Sequence, residues 1–281
     1  MITEQSRYSR RILLAVSGLS PQVVTETLYA LAVVRRPPFV PTEVHLLTTA
    51  EGAERASLSL LSDDPGWFAR LCQEYDLPPI AFSRDSIHVL ETAARERLTD
   101  IRTQEENQAA ADAITEWVRS FTADPGAALH VSIAGGRKTM GFFAGYALSL
   151  LGRAQDRLSH VLVSAPFESH PGFFYPTKES RIIYTPPPDS RPLDTSTAQV
   201  TLADVPFVRL REWLPPSMRE NAVSYSRAVD AARLAIEGAE LELDARRCMV
   251  SFGPARFCLP PAEFAFLAWM ARRRRQGLPQ I

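Results

Sequence analysis

The sequence lacks the features that mark several large classes of protein. Its three cysteines, Cys72, Cys248 and Cys258, form no CxxC pair and have no Cys/His metal spacing, which argues against a disulfide framework and a zinc module. Excess charge of one sign is missing as well: 31 Lys and Arg stand against 32 Asp and Glu, for a formal net charge of −1. A broad basic surface for duplex nucleic acid is therefore not encoded, and any anion site must be local and suited to a small partner. No run approaches the roughly 18 consecutive apolar residues of a membrane span, and the N-terminus places Arg7, Arg10 and Arg11 before a short strand instead of a cleavable apolar segment. A cytoplasmic protein with no membrane partner is expected.

What is present is a chain of 281 residues, 46% of them apolar, enough for a sizeable core in one large domain or two unequal ones. Two are expected. Residues 12–16 form a short apolar run that ends at Ser-Gly, as a strand buried in a parallel sheet does. From Gln22 the residues Val23, Val24, Thr27, Leu28, Leu31 and Val34 recur at helical spacing until Pro37 and Pro38 stop them. A second strand over 44–48 leads into another helical stretch, and residues 105–121 carry an apolar stripe of Ala110, Ala113, Ile114, Trp117, Val118 and Phe121. Trp117, Phe142 and Phe143 are expected in the core.

Residues 129–133 read as a further strand, 134–138 as its loop and 139–151 as a helix apolar nearly all round. Such a helix must be buried, and a dimer interface is one way to bury it. Strands are expected over 160–164 and 181–184. A first domain over 1–190 is then followed by a Pro-rich linker over 191–215 and a smaller C-terminal region over 216–281, with a helix over 217–237, three short strands over 241–243, 248–250 and 257–259, and a helix from Pro261 into Arg272–Arg275. Three small strands before such a helix resemble the opening of a winged helix, but the sequence ends before a recognition helix. Sequence-specific DNA binding by this region is not expected.

Two strand-to-helix loops carry the chemistry: Ser17, Gly18, Leu19, Ser20 and Pro21, and Gly135, Gly136, Arg137, Lys138 and Thr139. A loop of this kind exposes backbone N–H groups beside the positive end of a helix dipole, which suits phosphate. Gly18, Gly135 and Gly136 admit close approach, Ser17, Ser20 and Thr139 add hydroxyls, and Arg137 and Lys138 add charge. Each glycine can equally serve its turn alone, with both cations solvated. A cationic pair in the first turn opposes the helix dipole, however, and a compensating anion resolves that conflict. Neither the dinucleotide fingerprint nor a Walker loop is present.

Residues 16–26 and 130–140 resemble the two signature loops of CARF domains, the cyclic-oligoadenylate sensors of type III CRISPR systems. Residues 100–103, the helix holding Asn107 and Asp112, and residues 145–149 are similar to a CRISPR-associated CARF family of ring nucleases. The likeness spans about residues 10–185. It implies an α/β, Rossmann-like domain with a mainly parallel sheet, a homodimer that surrounds a ring of adenylates on its two-fold axis, and no cofactor. By motif position Ser20 is the hydroxyl near the scissile phosphate and Lys138, with Arg137, the cation; Ser17, Gly18, Leu19, Gly135, Gly136 and Thr139 are ligand contacts. The implied reaction is metal-independent cleavage to a 2′,3′-cyclic phosphate, with cyclic tetra-adenylate the expected ring. HEPN ribonuclease effectors pair Arg with His four to six residues apart, and no downstream pair has that spacing here. A non-catalytic sensor acting on DNA or a partner, and an ordinary nucleotide-dependent enzyme, are the competing readings.

Five histidines, His45, His88, His130, His160 and His170, are scattered and are assigned no role. Glu51, Arg55 and Arg102 could reach the ligand from a third loop, although surface ion pairing explains them as well. Arg272–Arg275 matches the C-terminal end of its helix dipole.

Overall fold

The computed structural model describes residues 4–222, 224–237, 241–252 and 255–277. They divide into two compact units, 1–229 and 230–281. The first is built on the apolar runs read above. Strand β1 (Arg10–Val16) has Ile12, Leu13, Leu14, Ala15 and Val16 fully buried, because it lies between two parallel neighbours under helices on both faces. Helix α1 (Gln22–Tyr29) follows and continues as a π-helical turn, Ala30–Val34. Strand β2 (Glu43–Thr48) leads to α2 (Ala50–Leu60) and α3 (Trp67–Glu74). Residues 76–90, which show no clear period, contain β3 (Ile87–Val89).

Helix α4 (Gln104–Ala123) opens with a capping box in which Thr103 accepts from Glu106 N and the Glu106 side chain accepts from Thr103 N. It leads to β4 (Ala127–Ser132), α5 (Lys138–Leu151) and β5 (Arg157–Val163). The principal sheet has the order β3-β2-β1-β4-β5 with all pairs parallel, and a sixth strand, β8 (Val200–Asp204), closes it antiparallel to β5. Leu13 and Ala15 join Val24, Leu28, Leu46 and Phe68 in one core, while α4 and α5 cover the other face, where Phe121 meets His45.

Three findings depart from the sequence reading. β6 (Ile182–Tyr184) does not enter the main sheet; it pairs with β7 (Pro192–Asp194) in a separate ribbon. Residues 191–215, expected as a linker, thus supply β7 and β8, because a strand paired with β5 satisfies its backbone where a free connection would leave that edge open. The helix expected over 217–237 is broken into α6 (Pro216–Glu220) and α7 (Tyr225–Glu237), with Val223 outside the described residues; Asp112 of α4 accepts from Tyr225 N at 2.8 Å and starts the second helix there. Phe142 is a correction: it is 60% exposed, not core, because α5 buries only the face carrying Met140, Phe143, Ala144 and Ala147, and Phe142 stacks on Tyr146 outside it.

The second unit contains an antiparallel sheet of β9 (Leu241–Asp244), β10 (Met249–Phe252) and β11 (Ala255–Cys258), followed by α8 (Pro261–Arg275). Among the described residues no helix is long and apolar enough to cross a membrane.

Candidate functional site

From β1 the chain winds outward through β2 and β3, then returns to β4 on the other flank of β1 and continues to β5. The order therefore reverses between β1 and β4, and the crevice at the carboxyl ends of strands at such a switch point is where open α/β sheets bind ligands. Both glycine loops lie there. A Cβ on Gly18 would stand 3.4 Å from Gly136 Cα, and one on Gly135 would stand 3.0 Å from Ser17 Oγ and 3.2 Å from the Val16 carbonyl oxygen. The loops pack backbone to backbone, so the glycines have a structural task in addition to any ligand contact. Gly136 also has a φ of +84°, a conformation in which a side chain is strained.

The hydroxyls separate by burial. Ser17 is fully buried and donates to the Ser20 carbonyl oxygen at 2.8 Å, so its Oγ fixes the first loop from within. Ser20, Leu19 and Thr139 are exposed. Helices α1 and α5 both lack a side-chain cap at their N-termini; the Val23, Val24 and Met140 N–H groups donate to the Ser20, Pro21 and Arg137 carbonyl oxygens, so among the described residues the leading N–H groups left without a backbone partner are those of Gln22, Lys138 and Thr139.

The two cations also differ. Arg137 is clamped by Asp100: its Nε donates to one carboxylate oxygen at 3.0 Å and its Nη2 to the other. That guanidinium, the Ile101 N–H and then Arg102 hold the Asp100 carboxyl well below the usual carboxylate range. Lys138 is exposed and has no hydrogen-bond or ion-pair partner among the described residues. Uncompensated charge in the second loop is thus concentrated on Lys138.

A third loop joins the pair through residues the sequence reading passed over. Thr48 Oγ1 donates to the Gly18 carbonyl oxygen at 3.3 Å, and a Cβ on Gly52 would overlap both Thr48 Oγ1 and that carbonyl oxygen. The start of α2 is therefore pressed against the first loop, while Glu51 and Arg55 pair with each other at 2.9 Å on the surface. A signal was available: a glycine four residues beyond the last strand residue, in an otherwise good helix-forming sequence.

A cleft of about 240 Å³ opens beside the loops, between α1 and β5, with Ser20, Gln22, Glu26, Gly135, His160 and Glu168 among its lining. Glu26 is only 7% exposed; burial, with Glu168 adding to it, pushes its carboxyl up to about 8. A larger concavity of about 800 Å³ along α4 contains no residue of either loop and is lined by Glu91, Glu105, Asp112 and Glu116, which would repel phosphate.

Each of the remaining histidines is held by at least one hydrogen bond. His130 is fully buried and shares a 2.7 Å hydrogen bond with Ser159, and burial depresses its basicity. His45 and His88 share a 2.9 Å hydrogen bond beside Trp117. His170 accepts from Gly172 N at 3.0 Å through Nδ1 and donates to the Tyr184 carbonyl oxygen at 2.9 Å through Nε2.

Among known proteins, the family of CRISPR-associated protein NE0113 matches residues 20–234, a span that takes in the second loop, the first loop only from Ser20, and the whole principal sheet beyond β1. No curated protein matches the chain. A solved structure of Enterococcus italicus Csm6 bound to cyclic hexa-2′-fluoro-hexa-dAMP is similar at 14% identity and a TM-score of 0.33, over 56% of this chain and 34% of that one. The likeness therefore spans about a third of the Csm6 chain.

Proposed function

Because the chain belongs to the family of CRISPR-associated protein NE0113, we propose that it binds cyclic oligoadenylate at the paired loops and cleaves the ring, ending a CRISPR signal in the cytoplasm. The observation that carries this reading is the contact of the two glycine loops at the switch point, with exposed Ser20 on one and, on the other, Lys138, which has no partner among the described residues. The two uncapped helix starts and Lys138, unpaired among the described residues, suit phosphates. In a homodimer with its two-fold axis at the loops, each subunit meets an equivalent half of a cyclic tetra-adenylate.

The substrate supplies its own nucleophile. A ribose 2′-oxygen forms the new bond to the adjacent phosphorus and loses its proton, the P–O5′ bond breaks, and the 5′-oxygen takes up a proton, leaving a 2′,3′-cyclic phosphate. The protein holds the 2′-hydroxyl in line and stabilises charge on the phosphoryl oxygens through loop N–H groups, Ser20 and Lys138. No protein base and no metal is required for this step.

The separate compact unit over 230–281 favours a second reading, a sensor that binds the same ring without cleaving it and passes the signal on. Incubating the full chain with labelled cyclic tetra- and hexa-adenylate in EDTA, and resolving the products, separates the two. Linear products ending in 2′,3′-cyclic phosphate support the nuclease; intact ring recovered from a stable complex supports the sensor.

A further inference from the structure

Two side chains in the cleft beside the loops are left over from the mechanism above. Gln22 and Glu26 lie one turn apart on α1 and both line the cleft. Gln22 Nε2 donates to the Pro171 carbonyl oxygen at 3.2 Å, but its Oε1 is buried with no donor among the described residues. A buried acceptor without a donor costs free energy unless something else supplies the hydrogen. Glu26, more than nine-tenths buried, faces Glu168 and shares the cleft with His160 and His170. It is neutral near pH 7, so it presents an O–H donor as well as an acceptor oxygen.

At about 240 Å³ the cleft is below the roughly 300–1,000 Å³ of sites that enclose a whole drug-sized ligand. It suits one base of a larger ligand whose phosphates lie on the adjoining loops. The Watson–Crick edge of adenine offers an exocyclic N–H donor beside a ring-nitrogen acceptor, the complement of an acceptor beside an O–H donor. Hypoxanthine and guanine invert both groups, placing a carbonyl oxygen against Gln22 Oε1 and an N–H against the carboxyl hydrogen.

Resting on the function proposed above, we infer that this cleft reads the Watson–Crick edge of one adenine of the ring, with Gln22 Oε1 accepting from the exocyclic amine and the Glu26 carboxyl donating to the ring nitrogen N1. Gln22 and Glu26 are then the specificity-determining residues of the site. The sign of the pH dependence follows: the donor is present while Glu26 is protonated and is lost as pH rises through about 8.

The test is equilibrium binding of cyclic tetra-adenylate and of its all-hypoxanthine analogue, each with fluorine in place of the 2′-hydroxyl so that the ring stays intact, to wild type, Glu26→Gln and Glu26→Ala, from about pH 6.5 to 9.5, with thermal melting of each variant. Wild type should prefer the adenine ring by about five- to 150-fold, the range of one bidentate base contact, and lose affinity for it above about pH 8. Glu26→Gln, whose amide can donate at any pH, should keep the base preference and lose that decline; Glu26→Ala should lose the preference. Equal binding of the two rings by wild type, or a preference and pH profile unchanged in Glu26→Ala, would overturn the inference while leaving ring binding intact. Wild type that binds neither ring would overturn the proposed function and this inference with it.

Discussion

At Arg137 and Lys138 two adjacent cations have different surroundings. The first is held by both oxygens of Asp100, so its charge is largely matched; the second stands exposed and unpaired among the described residues. Lys138→Ala should therefore weaken ring binding more than Arg137→Ala, and titration of a labelled ring at two salt concentrations would show it, with the steeper loss of salt dependence in Lys138→Ala. In the proposed reaction Ser20 contributes a hydroxyl whose value depends on its place near the scissile bond. Ser20→Ala should retain most of the affinity and slow single-turnover cleavage by roughly ten- to a thousand-fold, the range for removal of one transition-state donor. Wild-type cleavage by Ser20→Ala at saturating enzyme would remove that role from Ser20.

At the scale of elements, the site is the place where three strand-to-helix loops touch, and its geometry depends on how closely they can approach. Gly52 at the start of α2 has no room for a Cβ against Thr48 Oγ1 and the Gly18 carbonyl oxygen. Gly52→Ala should cost about 1–3 kcal/mol by overpacking and displace the first loop, weakening ring binding as well. Gly141 of α5 is the control, since its added Cβ would meet Ile133 Cβ at an ordinary 3.5 Å; Gly141→Ala should be neutral or stabilising by up to about 1 kcal/mol through helix propensity. Thermal melts of the two variants check both, and a Gly52→Ala protein as stable as wild type would show that the loop contact is not tight.

The units that hold the site are legible in the sequence because each begins with a short apolar strand cut off at Ser-Gly or Gly-Gly and followed by a helical period. Less legible is whatever depends on a distant partner. Nothing local tells that residues 200–204 pair with β5, that Asp112 starts α7, or that Asp100 clamps Arg137, since each is fixed by a group about 40 to more than 100 residues away. Phe142 shows the converse: an apolar residue in an apolar helix reads as core, yet among the described residues its face of the helix is left uncovered.

For the whole molecule, the proposed function needs two copies of the edge that the loops of the principal sheet build. The exposed Phe142 beside the stacked Tyr146, one turn beyond Lys138, gives the subunit an apolar contact close to the loops, in keeping with the proposed two-fold arrangement. The second unit is small and its α8 ends in four arginines. The central claim is that paired loops from two chains enclose one ring. Isothermal titration of the full chain with cyclic tetra-adenylate carrying fluorine in place of each 2′-hydroxyl, with light scattering on the same sample, measures it most directly. A dimer that binds one ring per two chains is the expected result; a monomer that binds one ring per chain, or a protein that takes up no ring, would contradict that claim.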